Sequence, residues 1–145
     1  VGAVAGVNRY PLPQIIIDMG TATTFSVIDK NGAFRGGSIL AGVNLSLTAL
    51  SGGTAQLPAI DLSNPKKACG SNTIDCMVSG AVYGSAGMVD GMLDRLTDEL
   101  GETPTIIATG GLSKLIIPHC RHKDIILNDD LLLQGLSDLY YKNIK

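Results

Sequence analysis

The stretch Gln14–Leu40 decides the fold, and it reads QIIIDMGTATTFSVIDKNGAFRGGSIL. Three apolar or alternating runs follow one another in it: Gln14–Asp18, Thr23–Asp29 and Ala33–Leu40. Asn31-Gly32 lies between the second and third runs, and this dipeptide is typical of a two-residue turn between antiparallel strands. The stretch therefore predicts three neighbouring strands that follow one another along the chain.

Outward from this stretch, helical and strand-like patterns alternate. The clearest is Ile74–Leu100, where apolar residues keep the helical period for about seven turns. Asn72 or Thr73 is placed to cap its start, and Gly101 its end. The other predicted elements are a helix at Asn44–Leu50, a connection at Ser51–Gly70, a strand at Thr105–Thr109, a short helix through Ile117, a strand at Asp124–Leu127 and a helix at Leu131–Asn143. This order predicts an α/β domain whose mixed sheet combines a three-strand meander with parallel strands and carries flanking helices.

Length and composition narrow the class of protein. The chain has 145 residues, of which 45% are hydrophobic and 17% charged, and this fits one globular domain. Its net charge is −2 without a basic cluster, which argues against nucleic acid and anionic membrane surfaces as partners. It begins at Val1 with the helix-like VGAVAGV. We therefore expect residues 1–13 to be a helix and loop that link a preceding domain to the domain at 14–145.

The cysteines and histidines favour neither a disulfide framework nor a metal site. The three cysteines are odd in number and lack a Cys-x-x-Cys spacing, which favours a reducing, cytoplasmic location: Cys69, Cys76 and Cys120. The tetrapeptide His119-Cys120-Arg121-His122 lacks the second pair of ligands that a tetrahedral metal site needs. We interpret it as a surface loop between a helix and a strand.

Four glycines interrupt the long helix at spacings of four, three and four residues: Gly80, Gly84, Gly87 and Gly91. Each costs roughly 0.8–1 kcal/mol of helix stability relative to alanine, so their shared face calls for a structural reason. A face without side chains lets another backbone approach closely. Two interpretations stay open, namely packing against a helix of the same chain and an interface with another subunit or domain.

Two glycine-containing segments at strand ends are candidate ligand-binding loops. In Asp18–Thr24 a strand delivers a carboxylate, Gly20 permits a tight turn and hydroxyl groups cluster, and phosphate and cation binding need these parts. The alternative is a hairpin turn in which Asp18 bonds to its own backbone. In Ala108–Leu112 a strand runs into Gly110-Gly111, which would admit an adenine or ribose, or would be an ordinary strand-to-helix connection. Together the two loops favour a nucleotide site.

Several strings are strongly similar to type III pantothenate kinases: IIIDMGTATTFSVID (15–29), GGSILAGVNLSL (36–47), LSGGTAQLP (50–58), GSNT (70–73) and IIATGGL (106–112). The similarity runs in register across nearly the whole chain. It implies the C-terminal half of a two-domain kinase with the ribonuclease H-like fold of actin, hexokinase and Hsp70, in which two such halves face a nucleotide cleft. The family phosphorylates pantothenate with ATP in the first step of coenzyme A synthesis, and is typically a cytoplasmic homodimer.

The resemblance also implies roles for residues that match the family's motifs. Asp18 would bind a monovalent cation, K⁺ or NH₄⁺, and Gly20 and Thr21 would contact ATP and its Mg²⁺. Gly110 and Gly111 would line the adenosine side of the site. Thr73 would contact pantothenate, although its position also suits helix capping. The family's dimer gives the glycine face of the long helix an interface role.

Two features depart from the family's pattern. Where the family commonly has proline before the glycine of its GG-x-I-x-PG string, this chain has Ala41-Gly42. The family's first phosphate loop and the aspartate thought to be its general base would lie upstream of Val1. Asp29, Asp61 and Asp75 stand in no motif that would replace that base. The resemblance therefore assigns no catalytic residue to this chain and implies that the chain alone is inactive.

Three other interpretations stay open at this point. Another kinase of the same superfamily would not depend on Thr73 for an acidic substrate. A non-catalytic relative would bind a nucleotide and act as a regulatory protein of the transcriptional accessory factor type. The 145 residues could also be a proteolytic remnant of a longer protein.

Overall fold

The computed structural model describes residues 9–53, 59–131 and 134, which form a five-stranded sheet with helices packed on it. The elements in chain order are β1 (Gln14–Met19), β2 (Ala22–Ile28), β3 (Phe34–Ala41), α1 (Val43–Gly53), α2 (Thr73–Leu100), β4 (Thr105–Thr109), α3 (Ser113–Ile116), a 3₁₀ turn (Ile117–His119) and β5 (Ile125–Leu127). The expected linking helix near the start of the chain and most of the helix expected at Leu131–Asn143 lie outside the described residues.

The sheet confirms the predicted mixture of a meander and parallel strands. Its order is β3-β2-β1-β4-β5. β2 pairs antiparallel with β1 and β3, whereas β4 pairs parallel with β1 and β5. The continuous apolar run Ile15–Ile17 is buried because β1 lies in the middle of the sheet, with both of its faces inside the protein.

The turn between β2 and β3 is wider than the predicted two-residue turn. Gly32 N donates to the Asp29 carbonyl at 3.0 Å, which makes Lys30 and Asn31 the central pair. A two-residue Asn-Gly turn needs positive φ at both residues, but in the described chain only glycines have positive φ. The Asp29 carboxylate instead accepts the N–H groups of Asn31 and Ala33, each at 2.9 Å, and stabilises the longer loop. The prediction of a hairpin is confirmed, and the prediction of its turn type is wrong.

The helix after the meander is longer than predicted. α1 begins at Val43 and continues to Gly53, whereas the sequence placed it at Asn44–Leu50 and assigned the following residues to a connection. Val43 and Leu47 are buried against the rest of the core. The helix continues through its final glycines although glycine has a low helix propensity.

α2 matches its predicted span closely and has a cap at each end. Asn72 caps the start, because its Oδ1 accepts the Asp75 N–H at 2.9 Å. Gly101 ends the helix at φ 73°, with its N–H donating to the Thr97 carbonyl at 3.0 Å. The buried stripe of α2 packs on the sheet and consists of Met77, Val78, Ser79, Val82, Ala86, Val89, Leu93 and Leu96. No helix in the described part of the chain is long and apolar enough to cross a bilayer.

The sheet has two faces that are covered to different extents. Ile15 and Met19 belong to the larger apolar cluster on the face that carries α1, α2 and α3, which we call the helix face. Ile16 and Ile107 alternate to the other side, which we call the opposite face, and form a smaller cluster there with Leu131. Successive strand residues therefore serve two separate cores.

The glycine face of α2 has no close neighbour in the described part of the chain. A Cβ atom built on Gly80, Gly84, Gly87 or Gly91 would meet no heavy atom within 4 Å. The first three of these glycines are exposed. Packing against a helix of the same chain therefore finds no support within residues 9–53, 59–131 and 134. The interface interpretation remains a prediction.

The segment His119–His122 is tied to α2 and is only partly the surface loop that the sequence predicts. The Asp90 carboxylate of α2 accepts the N–H of Arg121 at 2.7 Å and the N–H of His122 at 3.0 Å. Cys120 is fully buried, so its assignment to a surface loop is wrong. The 3₁₀ turn that precedes Cys120 directs its side chain into the core of the helix face.

Candidate functional site

The C-terminal ends of the three parallel strands lie at one edge of the sheet, which we call the loop end. β1 leads there into Gly20-Thr21, β4 into Gly110-Gly111 and β5 into Asn128. Ligands of α/β sheets characteristically bind at this end, outside the carboxyl ends of the strands. The predicted site residues Asp18, Gly20, Thr21, Gly110 and Gly111 lie at this edge.

Gly110 brings the two predicted binding loops into contact. Its φ is 103°, and a Cβ atom on it would lie 2.6 Å from both the N and the C atoms of Met19. Position 110 therefore needs glycine, because L side chains disfavour this φ and the Met19 backbone fills the space. The Ser113 hydroxyl donates to the Gly110 carbonyl at 2.7 Å and holds the turn. Gly111 is exposed, and a Cβ atom on it would meet nothing within 4 Å, so its backbone is open to a ligand.

The turn after β1 is fixed from its other side by Gly42. The Gly42 N–H donates to the Thr21 carbonyl at 3.0 Å, and a Cβ atom on Gly42 would lie 2.1 Å from that carbonyl oxygen. The Gly20 N–H donates to the Ala22 carbonyl at 3.2 Å, so this N–H is already engaged. The Thr21 side chain is exposed, and its hydroxyl bonds to no described residue. This hydroxyl is the free donor of the turn.

Asp18 is the last residue of β1 on the opposite face of the sheet, and it is partly buried. Its carboxylate makes no hydrogen bond or ion pair with another described residue, so the self-bonded turn considered from the sequence is not formed. Burial removes water from the carboxylate and raises the pKa of Asp18 above its ordinary value. An unpaired, partly buried carboxylate costs stability, and such groups are frequent at ligand sites.

Thr24 and Thr109 flank Asp18, and sequence reasoning included them in the two candidate loops without an individual role. The register pairs Asp18 with Thr24 of β2 and with Thr109 of β4. Directly paired residues on neighbouring strands share a face and have Cβ atoms roughly 5 Å apart. The only sequence signal for this trio is a threonine near the end of each neighbouring strand. Strand pairing itself is needed to place the three side chains together.

Asp18 brings to the loop end a hard oxygen ligand of the kind that cations prefer. Among the described residues, no three His, Cys, Asp or Glu side chains come together as a metal-binding group. Asp18 offers its carboxylate oxygens, and strand register places the hydroxyl-bearing Thr24 and Thr109 on the neighbouring strands. Hydrated Mg²⁺ normally uses one or two carboxylates together with substrate phosphates, so Mg²⁺ would arrive with its nucleotide.

Thr73 is the first residue of α2, and it is not the residue that caps the helix. Asn72 has that role, whereas Thr73 is exposed and its hydroxyl bonds to no described residue. It borders a groove of about 720 Å³ between α1 and α2. The groove is mostly apolar and is lined by residues that include Leu40, Val43, Leu47, Met77 and Gly80. A volume of this order suits a small ligand or an inserted side chain.

Thr73 and Asp18 lie on different faces of the sheet. The groove beside Thr73 is on the helix face, where Thr23 contributes to its wall. Asp18 alternates with Met19 and belongs to the opposite face. In one copy of the described chain, the predicted pantothenate contact and the predicted cation ligand therefore approach the sheet from opposite faces.

Comparison with known proteins identifies the family. A family model described as type III pantothenate kinase matches residues 1–95. The chain belongs to the type III pantothenate kinase family. The type III pantothenate kinase of Rubrobacter xylanophilus is 46% identical over 149 residues, which cover 99% of this chain and 56% of that protein. The type III pantothenate kinase of Exiguobacterium sp. is 44% identical over 145 residues, which cover 100% of this chain and 56% of that protein. The chain thus spans little more than half the length of these curated relatives.

Solved structures show the same fold at low sequence identity. A conserved protein from Campylobacter jejuni assigned to the Baf family of transcriptional activators has a TM-score of 0.68 at 19% identity, over 97% of this chain and 62% of that one. A non-polymerisable pCBH ParM mutant has a TM-score of 0.58 at 13% identity, and the match covers 100% of this chain and 53% of that one. The activator of 2-hydroxyisocaproyl-CoA dehydratase from Clostridium difficile, with bound ADPNP, has a TM-score of 0.52 at 14% identity. That match covers 99% of this chain and 68% of the activator. The expected actin-like ATPase fold of this pantothenate kinase family chain is confirmed.

Proposed function

We propose that the intact protein transfers the γ-phosphoryl group of ATP to pantothenate, giving 4′-phosphopantothenate in the first step of coenzyme A synthesis. This chain supplies one half of the site. The observation that carries the proposal is the contact of Gly110 with the Met19 backbone, which joins the carboxylate-and-threonine turn to the diglycine turn at one edge of the sheet. Family membership supplies the substrate class.

The chain's own residues position the nucleotide. Phosphoryl transfer depends mainly on positioning and on neutralisation of charge, so few groups need to react covalently. The free hydroxyl of Thr21 would donate to a phosphate oxygen of ATP. Gly20 keeps the turn beside it free of a side chain, and the exposed Gly111 offers open backbone to the adenosine, with Gly110 fixing that turn against β1.

Asp18, between Thr24 and Thr109, would hold the monovalent cation, K⁺ or NH₄⁺. The cation would offset phosphate charge during transfer, together with the Mg²⁺ that accompanies ATP. Asp18 must be ionised for this role. Because burial raises the pKa of Asp18, cation binding would be lost at a higher pH than for a free aspartate as the solution is acidified.

The general base would come from outside this chain. Asp29 lies in the hairpin at the end of the sheet away from the loop end, where it bonds to backbone N–H groups. The Asp75 carboxylate accepts a hydrogen bond from the Asn72 side-chain amide at 2.9 Å. Asp61 borders a separate pocket beneath the segment before α2. We therefore assign no catalytic residue here, and the chain alone would be inactive.

The intact enzyme would be a cytoplasmic homodimer that uses the glycine face of α2. Support comes from the exposed glycines and from the apolar groove beside them, which offer close backbone approach and an apolar surface. Nucleic acid and membranes have no place in the proposal.

Substitution of Thr73 tests most directly whether pantothenate is the substrate. In the intact protein we expect Thr73→Val to raise the KM for pantothenate about 3- to 10-fold, the effect of losing one neutral hydrogen bond. The KM for ATP should stay unchanged. Thr73→Ser keeps the hydroxyl and is the matched control, with a pantothenate KM close to that of the unaltered protein. Initial rates of ADP release give both constants.

The outcomes of this assay separate the competing functions. An unchanged pantothenate KM in Thr73→Val would remove Thr73 from the substrate site. Phosphorylation of another acid in place of pantothenate would favour a different kinase of the superfamily. Nucleotide binding without transfer to any acceptor would favour a regulatory protein. The likeness to a Baf family protein, at 19% identity, bears on the fold alone.

A further inference from the structure

Two of the three cysteines are brought together by the fold, although the sequence shows no paired spacing. Cys69 precedes α2, Cys76 lies in its first turns, and both are exposed. The segment between them crosses the helix closely, since a Cβ atom built on Gly70 would lie 2.8 Å from the Cys76 Cα. Consecutive Cα atoms are 3.8 Å apart. This step, one Cα–Cβ bond and the 2.8 Å distance together put the Cα atoms of Cys69 and Cys76 within about 8 Å of each other.

The residue on the other side of Cys69 also contacts α2. The Ser79 hydroxyl donates to the Ala68 carbonyl. Cys76 and Ser79 are three residues apart on α2 and therefore share a helix face. Cys69 is held over this face by both of its chain neighbours. A disulfide needs a Cα separation of roughly 4.4–6.8 Å, a range that this upper bound of about 8 Å includes.

We propose that Cys69 and Cys76 form a reversible intramolecular disulfide, and that oxidised glutathione or a disulfide of the same class is the oxidant. One cysteine thiolate attacks a sulfur of the oxidant and releases one glutathione thiolate. The other cysteine thiolate then attacks the protein sulfur of the mixed disulfide and releases the second glutathione. The protein gives up two thiol protons and two electrons, and one glutathione disulfide becomes two thiols.

The bond would fasten the segment before α2 to the helix itself. Asn72 and Thr73 lie between the two cysteines, so the cap and the start of α2 would be fixed in the oxidised state. The consequence for substrate binding rests on the proposed function, through Thr73. Formation of the bond does not rest on it, so disulfide mapping and the KM assay can fail independently.

Cys120 is an internal control. It is fully buried, and its thiol lies 3.8 Å from the Ala86 carbonyl oxygen. Burial, together with the nearby Asp90 carboxylate, raises the pKa of Cys120 to about 12. The thiolate is the reactive form, so Cys120 should stay reduced when the two exposed cysteines react.

The test is to equilibrate the chain with reduced and oxidised glutathione at several ratios, quench with acid and map the cysteines. Trypsin leaves Cys69 and Cys76 in one peptide, so an endopeptidase that cleaves before Asp75 is needed to separate them. We expect monomeric protein that is lighter by two hydrogens, a Cys69–Cys76 linked peptide pair, and full reversal with reduced glutathione. Cys120→Ser should behave in the same way, whereas Cys69→Ser and Cys76→Ser should each take up one glutathione instead.

Other products would overturn the proposal. Glutathione attached separately to Cys69 and Cys76, or chains joined to one another by disulfides, would show that the two sulfurs do not reach each other in the folded chain. Both cysteines are exposed, so the single serine variants should fold, and circular dichroism checks that they do. Slower amide hydrogen exchange at residues 70–72 in the oxidised chain would give an independent readout of the bond.

Discussion

At the scale of single residues, Gly110 and Gly111 are adjacent glycines with opposite structural requirements. Gly110 has a φ of 103° and touches the Met19 backbone, whereas Gly111 has open space around it. We expect Gly110→Ala to lower the free energy of unfolding by about 2–4 kcal/mol, from overpacking against backbone together with φ strain. Gly111→Ala, the matched control, should change it by less than about 0.5 kcal/mol. Urea unfolding of both variants makes the comparison, and equal effects would contradict the contact between the two loops.

Asp18 illustrates a residue whose ionisation opposes folding. Burial raises its pKa, so its protonated form favours the folded state. The stability that this gives is present below the unfolded pKa and is lost as the pH rises through the folded pKa. Asp18→Asn should therefore raise the thermal midpoint at pH 7, and the difference should vanish near pH 3. Thermal unfolding across this range measures it, with Asp98→Asn on the exposed side of α2 as the control.

A lower midpoint for Asp18→Asn at pH 7 would mean that the carboxylate has a stabilising partner and would argue against a vacant ligand position. In the intact enzyme the same variant should lose its dependence on potassium. Greater stability together with lower activity is the pattern expected where a charged group is kept for binding.

At the scale of elements, two neighbouring residues at the start of α2 differ in role. Asn72 caps the helix, whereas Thr73 is a candidate binding residue. Asn72 Oδ1 accepts the Asp75 N–H at 2.9 Å, while the Thr73 hydroxyl has no described partner. We expect Asn72→Ala to cost about 1 kcal/mol of stability, the usual value for a lost N-cap. Thr73→Val should cost less than about 0.5 kcal/mol. Chemical unfolding of both variants tests this, and a larger cost for Thr73→Val would show that Thr73 shares the capping role.

At the scale of the whole molecule, the glycine face of α2 links stability to assembly. A methyl group on Gly84 would meet no atom within 4 Å in one chain. Gly84→Ala should therefore stabilise the isolated monomer by roughly 0.5–1 kcal/mol through helix propensity. The same methyl would obstruct close approach of a second copy, so the variant should weaken dimerisation. Analytical ultracentrifugation combined with thermal unfolding resolves both effects.

The control for Gly84→Ala is Glu99→Ala, which is exposed on α2 outside the glycine face. It should leave the dimer unchanged. If Gly84→Ala leaves the association of two copies unchanged, the glycine face is not part of the interface. The homodimer would then need another surface.

Local patterns in the sequence determined the elements of this protein and the type of its sheet. The 3.6-residue period of α2 and the apolar run of β1 act over a few residues, so they could be recognised without a structure, whereas the cap of α2 was narrowed only to Asn72 or Thr73. The family motifs likewise marked Asp18, Thr21 and Gly110. The end of α1 in Gly-Gly was mispredicted, since the helix continues there against local propensity. The type of the hairpin turn was mispredicted because side-chain bonds to Asp29 stabilise a longer loop.

Relations between distant residues were decided by the tertiary structure alone. Strand register places Thr24 and Thr109 on either side of Asp18, and the parallel pairing of β1 with β4 sets Gly110 against Met19. The same packing buries Cys120 and leaves Cys69 and Cys76 exposed. It also puts Thr73 and Asp18 on different faces of the sheet. Pairing and burial join residues far apart in the chain, and for that physical reason no local pattern encodes them.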